Sequence, residues 1–256
     1  MKRSTTCLDI AVGLLLAASI ARGETKPETK PDPGAPLKVH IISGSKEYLS
    51  EPSLKEFKEQ LEKQYNVTCT ASWGQDQGTS LDNLKELESA ELMLVFTRRM
   101  KLPEEQMKLI RSHWERGKPV VGIRTASHAF QPADNEVFDR KVLGGDHQSH
   151  YGDEPVKVTN VVEQAEHPVL KGVGPFPSRK LYRPGDVAKD IVVLQMGDNG
   201  LAKHAITWTH TFNGGRVFYT SLGVPEDFKQ DSFRRLLTNA VFWTTQRDPE
   251  RMKKPQ

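Results

Sequence analysis

Two cysteines in 256 residues are too few for a disulfide-stapled scaffold. Neither sign of charge dominates: 36 Lys plus Arg stand against 33 Asp plus Glu, a formal +3, which gives no basic surface for nucleic acid. Apolar residues make up only 36% of the chain, which excludes a polytopic membrane protein. No internal repeat is visible. What remains is the profile of one soluble globular domain with extensions at its ends.

The first extension reads as a secretory leader. Lys2 and Arg3 precede an uncharged apolar run, Ile10 to Ile20, and the small residues Ala21 and Gly23 follow it in the order a signal peptidase uses. The run is far shorter than the ~20 residues of a spanning helix. We therefore expect residues 1–23 to be a signal peptide, cleavage after Gly23, a secreted or periplasmic product, and no membrane insertion afterwards. Lys2, Arg3, Arg22 and Asp9 leave with the leader, so the remainder is nearly neutral. Cys7 leaves too, and Cys69, alone in the strand-like Val67-Thr68-Cys69-Thr70, reads as an inert buried thiol. The sequon Asn66-Val67-Thr68 sits at the start of that strand, a poor place for a glycan.

Residues 24–36 hold four prolines and alternating charges with nothing apolar to bury, and predict a disordered tether. From Leu37 to about 247, short β-branched runs alternate with helical spacings, the pattern of an α/β domain with a mainly parallel sheet. Strands are predicted near 37–42, 67–71, 92–96 and 119–123, and helices from Leu54 through Tyr65, capped by Ser50 or Ser53, and between Pro103 and Gly117. The second half, with strand-like runs at 156–162, 191–195, 204–208 and 216–221, reads as more antiparallel. A last helix carries Phe233, Leu236, Leu237, Ala240 and Val241, and residues 248–256 are expected to be a flexible tail.

In a parallel sheet, ligands bind beyond the carboxyl ends of the strands. Those ends carry Ser43-Gly44, Arg98-Arg99, Arg124 to His128, and Glu226-Asp227, to which the glycine-flanked loop around His147, His150 and Tyr151 is added. Gly122-Ile123-Arg124-Thr125-Ala126 has the form of a strand-to-helix elbow, with small residues two before and two after an exposed centre. Here that centre is arginine, a permanent cation able to bind a carboxylate, a phosphate or sugar hydroxyls but never a nucleophile. His128 follows by four residues and is expected to face the same cleft. The two loop histidines with His128 suit proton transfer, or a transition metal in a less favoured reading. His210, beside Asn213-Gly214-Gly215, predicts an exposed hairpin residue, whereas His40 and His113 read as structural.

The segments GIRTASHAF (122–130), VLGGDHQSHYG (142–152), HPVLKGV (167–173) and GGRVFYTSLGVPEDF (214–228) occur in an order that resembles the trehalose-utilisation, or ThuA-like, family. The resemblance implies a flavodoxin-like fold of the class I glutamine amidotransferase type, and it implies a carbohydrate or other small-molecule ligand. Amidotransferases of that fold carry cysteine at the elbow and a late His-Pro-Glu. This chain has Arg124 and Val224-Pro225-Glu226 instead, so glutamine hydrolysis has neither nucleophile nor base. The same comparison favours His150 over His147.

The expected site therefore has Arg124, His128, His150 and Asp227 as its reactive groups, with Ser43, Gly44, Thr125, Ser127, His147, Tyr151 and Glu226 lining it. No cofactor is required by this set. Hydrolysis, elimination or isomerisation of a sugar derivative fits it, and so do two rivals: a binding module without catalysis, and a metal-dependent hydrolase built on the histidines.

Overall fold

The β-branched runs of the first half become strands because each is flanked by an amphipathic helix that covers it. The computed structural model describes residues 34–255; the expected leader and most of the expected tether lie outside them. β1 (Leu37–Gly44), α1 (Ser50–Gln64), β2 (Val67–Trp73), β3 (Leu92–Thr97), α2 (Glu104–Glu115) and β4 (Val120–Ile123) follow one another with the predicted spacing. Then come α3 (Pro132–Val137), β5 (His147–His150), β6 (Val156–Asn160), β7 (Phe176–Ser178), β8 (Tyr182–Pro184), β9 (Val192–Asp198), β10 (Lys203–Phe212), β11 (Gly215–Thr220), α4 (Asp231–Thr244) and α5 (Pro249–Met252).

One sheet runs β2-β1-β3-β4-β11-β10-β9-β6-β7. The pairs from β2 to β11 are parallel, and those from β11 to β7 are antiparallel. This is the mixed α/β architecture expected, with the antiparallel strands in the second half. Alternation along each central strand feeds two cores: Val39, Ile41, Leu94 and Phe96 join α1 and α4 on one face, while Ile42, Met93 and Val95 join Ile110 and Trp114 of α2 on the other. β5 and β8 form a separate two-stranded ribbon. Among the described residues no helix is long and apolar enough to cross a membrane.

Four local expectations are corrected. Ser50 does not cap α1 through its side chain; its Oγ accepts the Ser45 N–H at 2.9 Å and meets Ser43 Oγ at 2.8 Å, tying down the loop after β1. At the tether's end, the Gly34 and Ala35 carbonyls accept from Asn66 Nδ2 at 3.2 Å and Arg247 Nη1 at 3.1 Å. The supposed tail from 248 is ordered: α5 buries Met252, and the Asn66 and Lys254 amides bond to Met252 and Gln64. His210 is buried, donating from Nδ1 to the Val142 carbonyl at 3.0 Å.

Candidate functional site

β4 ends in a tight turn, Arg124–His128, and Arg124 at its start has φ 50, the left-handed region that non-glycine residues avoid. The elbow is thus real, and it is held against Gly223, where a Cβ would lie 2.8 Å from Ile123 Cγ2 and 3.3 Å from Arg124 Cβ. The side chain does not stand exposed as expected. Arg124 is fully buried; Nη1 donates to the Ser221 carbonyl at 2.9 Å and Nη2 to the Lys180 carbonyl at 2.7 Å. Its guanidinium carbon lies 3.7 Å from the centre of the Tyr48 ring and 5.0 Å from that of Tyr182. Two carbonyls and two aromatic faces occupy the fork, so Arg124 braces the site from beneath instead of presenting itself to a ligand.

His128 and His147 come together above that brace. Their rings stack with centroids 4.6 Å apart and planes 27° apart, and the Tyr182 ring meets both at 5.4 Å and 4.6 Å. Ser127 Oγ lies 3.2 Å from His128 Nδ1. Burial pushes the His128 imidazole down to about 3, and His147, Arg98, Arg99 and Arg124 act in the same direction. Burial likewise takes His147 down to about 4, with His150, Arg99 and Arg124 adding to it and Asp146 opposing. Both rings are therefore neutral near pH 7 and can each donate and accept one hydrogen bond. Both remain partly open to solvent, beside the exposed Arg99.

The ribbon register decides which loop histidine takes part. His147 turns inward, whereas His150 is exposed and donates from Nδ1 to the Tyr151 carbonyl at 2.7 Å. The preference for His150 is thereby reversed in favour of His147. Asp227 is not at a rim: it is buried, accepting from Ser178 Oγ at 2.8 Å and from the Gly223 and Val224 amides at 2.7 and 3.2 Å. Burial raises its carboxyl above the usual range against those three bonds and Arg124. It shapes the late loop.

The remaining expected positions divide in two. Thr125 and Ser127 are buried within the elbow turn. Ser43 and Gly44 end β1, where Ser43 is committed to Ser50. Tyr151 is buried against His204 and Arg183, and Glu226 forms a 2.8 Å ion pair with Arg179 at the surface. Cys69 is buried, its thiol pushed up to about 12 by burial and Glu62. Sequence reasoning noted Arg99 at the end of β3 without assigning it to the site, and missed Tyr182 and Asp139. Asp139 lies in a π-helical turn (Phe138–Val142), and burial first, then Asp146 and Glu136, push its carboxyl up to about 7 against the His147 amide bond and Arg140. No sequence signal marks it, because an acid in an amphipathic stretch reads as solvated.

Among the described residues no three His, Cys, Asp or Glu side chains gather in a group that could hold a metal ion.

A family model described as trehalose utilisation matches residues 38–244. Of solved structures, a ThuA-like protein from Parabacteroides merdae superimposes with a TM-score of 0.63 at 16% identity, covering 82% of this chain and 90% of that one. A ThuA-like protein from Bacteroides uniformis gives a TM-score of 0.59 at 18% identity over 86% and 95%. The cold-adapted beta-galactosidase of Rahnella sp. R3 gives 0.52 at 14% identity over 83% of this chain and 31% of that one. At these identities the likeness is one of fold. No curated protein matches the sequence significantly.

Proposed function

Because the chain belongs to the trehalose-utilisation family, we propose that it takes a carbohydrate or sugar derivative at the mouth framed by His128, His147 and Arg99, after export from the cytoplasm. The observation that carries this reading is the stack of two imidazoles kept neutral at the carboxyl end of β4. A neutral imidazole offers one donor and one acceptor, which matches a hydroxyl, whereas an imidazolium offers donors only. Arg99, which forms no ion pair among the described residues, supplies further donors at the edge. His147 is the group we assign to proton transfer, in hydrolysis, elimination or isomerisation of the bound sugar. The absence of a thiol at the elbow and of a base at Val224 keeps glutamine outside this chemistry.

Calorimetric titration of the exported protein with trehalose and a panel of other disaccharides, followed by product analysis, tests the reading. His147→Ala is expected to weaken binding or turnover at least tenfold, about 1.4 kcal/mol. His150→Ala should stay within about threefold, because loss of an exposed side chain outside the mouth changes little. Equal effects from both, or no binding by any sugar in the panel, would overturn it.

A further inference from the structure

Behind the histidine stack is a cavity of about 10 Å³, lined among others by Ser127, Asp139, His147, Tyr219 and Ser221. Three of these residues have a buried polar atom without a partner: Asp139 Oδ1, His147 Nδ1 and Ser221 Oγ. A space of this size, about one water probe, holds a single water when it offers two to four polar partners. The carboxyl at its wall is there at a cost. Asp139 is 6% exposed, and its other oxygen accepts the His147 amide at 2.8 Å. Gly145 leaves it room, since a Cβ there would lie 2.5 Å from Oδ1. The π-helical turn that carries it is a register often found at functional sites.

We propose that Asp139 is the proton-holding positioning residue of the site, joined through one bound water to His147 Nδ1, so that His147 can take a ligand proton at Nε2 without becoming a cation. This rests on the reading of His147 as a site residue. With the carboxyl ionised, Nδ1–H donates to the water and the water donates to Oδ1, which leaves Nε2 a lone pair for the mouth. When a ligand hydroxyl gives up its proton, the ligand O–H bond breaks as Nε2–H forms. The Nδ1–H bond breaks as the water gains a proton, and a water O–H bond breaks as Oδ1–H forms. The negative charge passes from carboxylate to ligand oxygen, and the imidazole ends neutral as the other tautomer. The surroundings favour this route. Burial first, then His150, Arg99 and Arg124, make a His147 imidazolium costly, against Asp146. Burial with Asp146 and Glu136 makes a protonated Asp139 accessible, opposed by Arg140. Tyr182 and Tyr219 keep their protons, both raised above the usual phenol range by burial.

The tautomer of His147 can be read by NMR from the ¹⁵N shifts of the ligand-free protein labelled at histidine. Nδ1–H is expected to dominate at pH 8.5 and to give way to Nε2–H as Asp139 protonates near pH 7. In Asp139→Asn the tautomer should not change between pH 6 and 8.5. A His147 tautomer that is constant in the wild type, or that still switches in the variant, overturns the proposal. If the variant does not fold, ¹³C-carboxyl labelling of wild-type aspartates decides: Asp139 and His147 must change with one midpoint, and a carboxyl that titrates while His147 stays unchanged overturns it. None of these readouts needs a sugar, so they stand or fall separately from carbohydrate binding.

Discussion

Arg124 combines a left-handed backbone with a fully buried guanidinium. Truncating it strands the Lys180 and Ser221 carbonyls, and bonds from a charged donor are worth about 1.5–3 kcal/mol each. We expect Arg124→Ala to lower the unfolding free energy by about 3 kcal/mol, measured by urea titration. Arg124→Gly should be the milder change by about 1 kcal/mol, since glycine meets no steric penalty at positive φ. An alanine variant as stable as the wild type would show that the guanidinium is not a brace. The sequence marks the elbow through the small residues Gly122 and Ala126. It cannot show the burial of Arg124, because the bonding carbonyls come from distant stretches of chain. For the same reason, which of His147 and His150 faces inward is decided only when β5 pairs with β8.

Among the elements, α5 departs most from what its sequence suggests. Asp248-Pro249 reads as a helix end giving way to a loose tail, yet Asp248 caps a new helical turn through its side chain, bonding the Glu250 amide at 2.9 Å. The turn places Met252 in the core and its carbonyl on Asn66, beside the start of β2. Ending the chain after Arg247 removes that methionine, worth roughly 1.5–3 kcal/mol when buried, and two backbone bonds of about 1 kcal/mol each. A loss of about 4 kcal/mol is expected, read as a lower urea midpoint. An unchanged midpoint would mean that the segment adds nothing to the domain. Only Lys253, Lys254, Pro255 and Gln256 follow Met252, so it is the contact with the α1–β2 connection at Gln64 to Asn66 that makes this stretch an element.

For the whole molecule, buried histidines set the response to acid. Burial lowers His40 to about 4, His113 to about 4, His128 to about 3 and His147 to about 4. An unfolded chain protonates each near 6.5, so the stability they contribute is complete above that pH and is lost as pH falls towards 4. Asp139 acts in the opposite sense: raised to about 7, its contribution is complete below the usual carboxylate pKa and is lost as pH rises through about 7. Asp227, also raised, shares that sign. Four histidines outweigh two acids between pH 4 and 6.5. The unfolding free energy should therefore fall between pH 7 and 5, by roughly 1.4 kcal/mol per pH unit for each proton the unfolded chain binds in excess, and the melting temperature with it. A melting temperature that rises over that interval would show that the imidazoles are not held neutral.

The order of β1 to β4 with α1 and α2, and of β6, β9, β10, β11 and α4, was legible in the sequence alone, because hydrophobic period and β-branched runs are local properties, and the motifs at 122–130, 142–152, 167–173 and 214–228 together suggested the family. Departure from glutamine chemistry was equally legible, since it depends on which residue stands at 124 and at 224. The tertiary structure decided what those residues do. Burial turned Arg124 from a ligand clamp into a brace and Asp227 from an acid at the rim into a loop anchor. Pairing of β5 with β8 selected His147, and a π-helical turn brought Asp139 behind it. Burial, desolvation and cross-chain pairing depend on segments far apart in the sequence, and the distances between them exist only once the sheet has formed.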